Sequence, residues 1–161
     1  MPVTASACKW QRKWAWIECR LNDNFTIQQV SWQTHGSQLR AVREKVFIHE
    51  QSVPLELEWD GLDDTAQHLL ALNSAGEPIG CARLPGDGSI GRMAVLKPWR
   101  GKGVGSALLR KAMLLYRQQG IKKLTLSAQV HAVSFYERAG FQVCSEPYLD
   151  ANILHVDMYS D

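Results

Sequence analysis

Ile90-Gly91-Arg92-Met93-Ala94-Val95-Leu96 runs straight into Lys97-Pro98-Trp99-Arg100-Gly101-Lys102-Gly103-Val104-Gly105-Ser106, and an amphipathic run then carries the chain to Gly120. A short apolar strand thus feeds a loop with glycine at 101, 103 and 105, and the loop opens directly into a helix. Such a loop turns consecutive backbone N–H groups toward one point, and the helix behind it adds the positive end of its dipole. The segment reads as a phosphate cradle. Spacing excludes two of its owners. A mononucleotide loop needs G-x-x-x-x-G-K-S/T, a string the chain does not contain. The dinucleotide fingerprint G-x-G-x-x-G asks for glycine where Ser106 stands, and for an acid about twenty residues further on. That region reads Lys122-Lys123-Leu124-Thr125-Leu126-Ser127.

Outward from the loop, Val104, Ala107, Leu108, Ala112 and Leu115 recur at helical spacing, and Gly120 is placed to end the helix in a left-handed conformation. Lys123 to Gln129 alternates apolar Leu124, Leu126 and Ala128 with Thr125 and Ser127, which predicts a strand. With a helix between them, it and the Ile90 strand should be parallel, joined by a right-handed crossover. A short helix over His131–Ala139, ended by Gly140, and strands near Phe141–Ser145 and Ile153–Tyr159 complete the C-terminal half. Upstream, Gln67–Leu72 and Ile79–Leu84 flank a turn at Asn73–Pro78 and form an antiparallel meander with the Ile90 strand. Phe25 to Trp32 is a first strand. Ser37 is placed to cap a helix carrying Leu39, Val42, Val46 and Phe47, which should end near Gln51 because Pro54 disfavours helical geometry before it. The architecture is one α+β domain with a mixed sheet over residues 25–161, preceded by an extension over residues 1–24.

Bulk properties narrow the class. A chain of 161 residues, 45% hydrophobic and 21% charged, suits one soluble globular domain, and a formal charge of +2 is too small to argue for nucleic acid. Cys8, Cys19, Cys81 and Cys144 show no metal-ligand spacing and read as reduced thiols. No apolar run approaches the roughly 18 residues of a membrane span, and the first residues lack the apolar core of a signal peptide. The expectation is a cytoplasmic protein with no membrane, nucleic-acid or metal partner. In the extension, Trp10, Trp14 and Trp16 lie among Lys9, Arg12 and Lys13. It is read either as an extension that packs on the domain or stays loose, or as a basic-aromatic arm for a membrane surface or a partner.

Arg100, Gly103 and Gly105 fit the acetyl-CoA signature of glutamine or arginine, glycine three residues on, and glycine or alanine two further on. With the preceding strand, and with Phe135-Tyr136-Glu137-Arg138-Ala139-Gly140-Phe141 some thirty residues later, the chain resembles the GNAT superfamily of N-acetyltransferases. Val46-Phe47-Ile48-His49-Glu50-Gln51, the Asp60-Gly61-Leu62-Asp63-Asp64 run, His68, Ile90-Gly91-Arg92, Ala128-Gln129-Val130-His131, and His155 with Met158 resemble its ElaA/YjcF-like branch over roughly residues 38 to 158. Asn152 and Leu154 depart from the glycine and proline typical before the last strand; Asn tolerates a left-handed backbone better than most residues.

The resemblance implies a GNAT-like fold in which the Ile90 and Lys123 strands splay and acetyl-CoA, the acetyl donor, lies in the gap. Met93, Ala94 and Val95 would pair with the pantetheine arm. The N–H groups of Gly101, Lys102, Gly103, Val104, Gly105 and Ser106 would bind the pyrophosphate, with charge from Arg100 and Lys102, and Gln129 and Phe135 would complete the cofactor site. The implied reaction is direct acetyl transfer to the amine of a small molecule or peptide, with an N–H of the Val95 region on the oxyanion and Tyr136 protonating the departing thiolate. Glu50, His68 and His155 are the candidates for the base. Their other readings are a pairing of Glu50 with Arg83 or Arg92, and hydrogen-bonded core histidines. The acidic stretch Pro54–Thr65 is either a solvated face or a rim that attracts a cationic amine. A module that holds acetyl-CoA without turning it over, and an interaction protein working through the tryptophan arm, are the competing functions. Dimers are common in the superfamily, so a homodimer is an expected assembly.

Overall fold

In the computed structural model, which describes residues 24–161, the chain builds two four-stranded sheets that meet at one parallel bridge. The expectations for the tryptophan-bearing extension lie outside the described residues. The first sheet has the order β1-β2-β3-β4, from Phe25–Val30 (β1), Gln67–Asn73 (β2), Pro78–Leu84 (β3) and Gly91–Val95 (β4), each antiparallel to the next. The second takes Leu124–Gln129 (β5), Gln142–Val143 (β6), Tyr148–Asp150 (β7) and Ile153–Ser160 (β8). Here β8 pairs antiparallel with β5, and also with β6 and β7. At the bridge, Ile90 N–H donates to the Thr125 carbonyl at 2.9 Å and Thr125 N–H to the Gly88 carbonyl at 3.0 Å. Beyond those two bonds β4 and β5 part. The expected parallel pairing therefore lasts for one bridge, and the splay begins there.

Ser31, not Ser37, caps the first helix, α1 (Trp32–Arg43): its Oγ accepts from Thr34 N–H at 3.3 Å. Ser37 instead lies inside the helix, just past a single kink at His35 (φ −128°). α1 continues through a π-wound stretch, Glu44–Glu50, where Gln51 N–H reaches back five residues to the Val46 carbonyl at 3.0 Å. A four-residue helix, α2 (Leu55–Glu58), follows. α3 (Val104–Gln118) ends as expected at Gly120, held at φ +81°. Gly120 N–H donates to Arg117 and Ile121 N–H to Tyr116, the paired bonds of a Schellman end. A short turn over Val130–Ala132 leads into α4 (Val133–Glu137).

The two faces of the first sheet are covered by different helices. Leu108, Leu109 and Ala112 of α3 pack with Leu69, Ala71 and Ile79, and with Leu126, Val156 and Met158 of the second sheet. Leu39, Val42 and Val46 pack on the opposite side with Leu70, Cys81 and Ala94. α3 sits close because β3 has Gly80 beneath it: a Cβ there would lie 3.1–3.2 Å from the Ala94 carbonyl, Leu108 and Val104. Truncating fully buried Leu108 to Ala should cost about 2–5 kcal/mol. No described helix is long and apolar enough to cross a membrane.

The acidic stretch divides: Glu56 and Asp64 are exposed, but its other three acids form neither a solvated face nor a rim. Glu58 and Asp63 are buried, and with Asp60 they bind three arginines from other elements. Arg43 holds Glu58 at 2.5 Å and Asp63 at 2.6 Å; Arg83 holds Asp60 at 2.7 Å and Asp63 at 3.1 Å; Arg92 holds Glu58 and Asp60, each at 3.1 Å. Trp59 lies over the Arg40 and Arg43 guanidiniums at 4.2 and 4.8 Å. Three cations meet three anions, so the cluster is neutral, and the segment's charge is used to pin α1, β3 and β4 together.

Candidate active site

The site grows from the parting of β4 and β5. β4 is the edge of its sheet, and it carries a bulge: Cys81 faces Ala94 and Arg83 faces Gly91, so two steps of β3 span three of β4. Arg92 supplies the extra residue at φ +46°. A non-glycine residue is held there because its guanidinium is fastened to Glu58, Asp60 and, at 2.9 Å, the Leu57 carbonyl. Past the bulge, Met93, Ala94 and Val95 form one wall of a cleft of about 720 Å³, with Ser127 and Gln129 of β5 and His155 of β8 opposite. A smaller lobe of about 490 Å³ extends to the glycine loop, lined by Trp99, Gly101, Gly103, Gly105, Ser106, Phe135 and Arg138. Met93, Ala94, Val95, Arg100 and Tyr136 line both lobes.

The loop has the geometry of a cradle. Gly101 and Gly103 stand at φ +72° and +85°, where a side chain is strained. At Gly105 an added Cβ would sit 3.5 Å from the Phe135 ring, an ordinary contact, which explains why the signature admits alanine there. The Ala107 N–H donates to the Gly103 carbonyl at 3.0 Å. The amides ahead of it, from Gly101 to Ser106, have no backbone acceptor in the loop and stand at the positive end of α3. These features fit a pyrophosphate. Lys102 turns to the Trp99 ring at 5.0 Å.

Arg100 differs from expectation. Its guanidinium points away from the loop, giving Glu50 two hydrogen bonds at 2.6 and 2.8 Å and the Val95 carbonyl one at 2.9 Å. Glu50 accordingly pairs with Arg100, and neither Arg83 nor Arg92 reaches it, since both are bound in the buried cluster. The Arg100 hydrogen bonds hold the Glu50 carboxyl below the usual carboxylate range. Gln129 is likewise engaged: its amide exchanges hydrogen bonds of 2.8 and 3.3 Å with Gln51, closing a clasp between the end of the π-wound stretch and β5.

Tyr136 stands at the junction of the lobes. Its ring meets Phe135 edge-on at 4.9 Å and Phe141 at 6.2 Å, and its hydroxyl lies 3.8 Å from Met93 Sδ. Burial pushes the phenol up to about 12, so it carries its proton throughout the neutral range. His155 lines the larger lobe, stacked on Tyr148 at 6.1 Å. Its Nδ1 is 2.8 Å from the Ile153 carbonyl. A carbonyl only accepts, so Nδ1 holds the hydrogen and the lone pair of the neutral ring is at Nε2.

His68 is not brought to the cleft. It lies two strands away on β2, 1% exposed, with Nε2 donating to the Asp63 carbonyl at 2.9 Å and the Trp32 ring beside it. Burial holds its pKa below the usual histidine value. It is a core histidine, and its candidacy as a base is corrected. Conversely, the cleft gains residues that sequence reasoning did not select, among them Leu57, Arg92, Ser127 and Asp150 in the larger lobe, and Trp99 and Arg138 in the smaller. Trp99 and Arg138 sit inside the quoted motifs and were within reach of them. Asp150 carries no such signal.

Residues 24–161 match the acetyltransferase (GNAT) domain family. The chain is 37% identical to the uncharacterized N-acetyltransferase YjcF of Bacillus subtilis over 124 residues, 74% of this chain and 88% of that one. It therefore belongs to the GNAT acetyltransferases, enzymes that draw on acetyl-CoA. Among solved structures it resembles Escherichia coli ElaA (TM-score 0.76, 28% identity, 85% of this chain and 99% of that one). It shares the fold of a GNAT family acetyltransferase from Elizabethkingia anophelis with acetyl-CoA bound (TM-score 0.64, 21% identity, covering 87% and 99%).

Proposed function

We propose that the protein transfers the acetyl group of acetyl-CoA directly to a primary amine of a small molecule or peptide, with Tyr136 as the proton donor and His155 as the proton acceptor. The observation that carries this reading is that the Tyr136 hydroxyl and the His155 side chain line one cleft that begins at the glycine loop. In this reading the amides from Gly101 to Ser106 hold the pyrophosphate, and the exposed edge of β4 at Met93 to Val95 aligns the pantetheine arm. The ammonium of the acceptor loses a proton to His155 Nε2, its nitrogen attacks the thioester carbon, and the oxyanion meets an N–H near Val95. The C–S bond then breaks, Tyr136 Oη gives its proton to the leaving sulfur, and the new amide nitrogen gives up its surplus proton, which restores the phenol.

The test is thiol release from acetyl-CoA in the presence of a panel of primary amines, with the acetylated product identified by mass. Amine-dependent release is expected. Tight binding of acetyl-CoA with no release against any amine would favour a non-catalytic acetyl-CoA-binding module.

A further inference from the structure

Charge on the walls of the larger lobe is mostly neutralised within the protein. Glu50 is bound by Arg100, and Glu58 by Arg43 and Arg92. Asp150 lines the same lobe, is exposed, and has no ion-pair partner among the described residues. It leaves the lobe with an unbalanced negative charge. The β7–β8 hairpin places that charge. Asp150 pairs with Ile153 and Tyr148 with His155, and strand alternation puts all four on one face. Asp150 and His155 are thus diagonal neighbours, with backbones roughly 7–8 Å apart. The turn between the strands holds Ala151 and Asn152 at φ +50° and +62°. That conformation is unfavourable for alanine, and here it sits on the cleft wall. The same lobe is also lined by apolar Phe47, Val53, Leu57 and Ile153.

We infer that the acceptor is a diamine, or an amine with a second cationic group across a short apolar spacer, and that Asp150 holds the second charge. The inference rests on the acetyl-transfer reading above. A monoamine brings one charge and must surrender it before attack. A diamine brings two: one nitrogen is deprotonated at His155, while the other stays charged against Asp150 and the methylenes lie on the apolar wall. The acids of residues 56–64 do not serve this role, because those that are buried already face arginine.

The experiment compares kcat/KM for putrescine and cadaverine with that for butylamine and pentylamine, at saturating acetyl-CoA. It is run on the full chain, on Asp150→Asn and on Asp150→Lys. The full chain should prefer the diamines by roughly 5–10-fold, as suits an accessible charge-assisted contact. Asp150→Asn should bring the ratio close to one, and Asp150→Lys below one. Equal use of both classes by the full chain, or a preference that survives Asp150→Asn, overturns the inference and leaves acetyl transfer standing. If none of the four amines is acetylated the inference is also overturned. Acetylation of a peptide amine in the same assay then upholds the transfer reading alone, and its absence removes both.

Discussion

Arg100 and Glu50, fifty positions apart, close a bidentate ion pair that ties the end of the first helical segment to the first residue of the glycine loop. The third guanidinium nitrogen donates to the Val95 carbonyl, so one side chain braces loop, strand and helix together. In the proposed reading Glu50 would act on acetyl-CoA binding only through Arg100 and the loop it braces. Its depressed pKa makes it a weak base, charged across the neutral range. Glu50→Gln should raise KM for acetyl-CoA about 3–10-fold and cost less than about 1 kcal/mol of stability, since the pair is half-exposed. Steady-state kinetics across pH check this. The acidic limb of the profile should remain, and its disappearance would transfer the role of base to Glu50.

Tyr136 is the residue whose loss should separate chemistry from binding. Tyr136→Phe keeps the ring packed on Phe135 and Phe141 and removes only the hydroxyl. We expect kcat to fall by roughly 10–100-fold, with acetyl-CoA affinity nearly intact. Because the phenol lies at about 12, the wild-type enzyme should show no basic limb from this group below about pH 10. Unchanged turnover in the variant excludes the acid role.

The two histidines should behave oppositely. His155→Ala should remove the acidic limb of kcat/KM, whereas His68→Gln should leave that limb in place. His68 should appear instead in stability. Its folded pKa is lowered by burial, so between that value and about 6.5 the unfolded chain binds a proton the folded chain does not. Stability is then fully present above about pH 6.5 and declines as pH falls through this window. Thermal midpoints measured from pH 7.5 to 5 should fall less steeply in His68→Gln than in wild type. An identical slope would remove His68 from the linkage.

The glycine loop, the meander and α3 were legible because each rests on local chemistry: left-handed glycines, alternation, and a helical apolar face. That Tyr136 and the glycine loop lie along one cleft was legible through motif context. What was hidden depended on pairing across the chain. Nothing local distinguishes Glu58 and Asp63, buried on arginines, from a solvated acidic turn such as Glu56 and Asp64 make. His68 and His155 both occur in apolar strands, and only the strand order, which puts β2 in the interior of the first sheet and β8 beside the cleft, separates core from site. The strand Tyr148–Asp150 leaves no mark in the sequence because three residues give no period. Its partner and its turn are what define it.

The buried cluster makes a strong stability prediction. Asp63 Oδ1 is shared by Arg43 at 2.6 Å and Arg83 at 3.1 Å, with its side chain 7% exposed. Asp63→Asn leaves Arg43 with Glu58 and Arg83 with Asp60, and the cluster one negative charge short at its buried centre. The loss should be about 2–3 kcal/mol, below the usual cost of fully stranding one side of a buried pair. A denaturant midpoint that moves by less than the equivalent of about 1 kcal/mol would show that water or another acid replaces it.

Ala151 offers the opposite sign. The β7–β8 turn puts both central residues at positive φ, the pattern of a type I′ hairpin, and its preferred occupants there are asparagine and glycine. Asn152 suits the second position. Ala151 at φ +50° does not suit the first, because its Cβ crowds the following carbonyl at a cost of roughly 1 kcal/mol. Ala151→Asn keeps the Cβ but offsets its cost through the local side-chain hydrogen bonding that lets asparagine occupy this conformation, without the added unfolded-state freedom of glycine. Stability should rise by about 0.5–1 kcal/mol, read as a denaturant midpoint shifted upward at unchanged slope. Because this turn aims Asp150 into the cleft, the same variant should keep the diamine preference of the parent. A midpoint that falls instead would show that the hairpin is held by its side-chain pairs, Tyr148 with His155 and Leu149 with Leu154, and that the turn contributes nothing of its own.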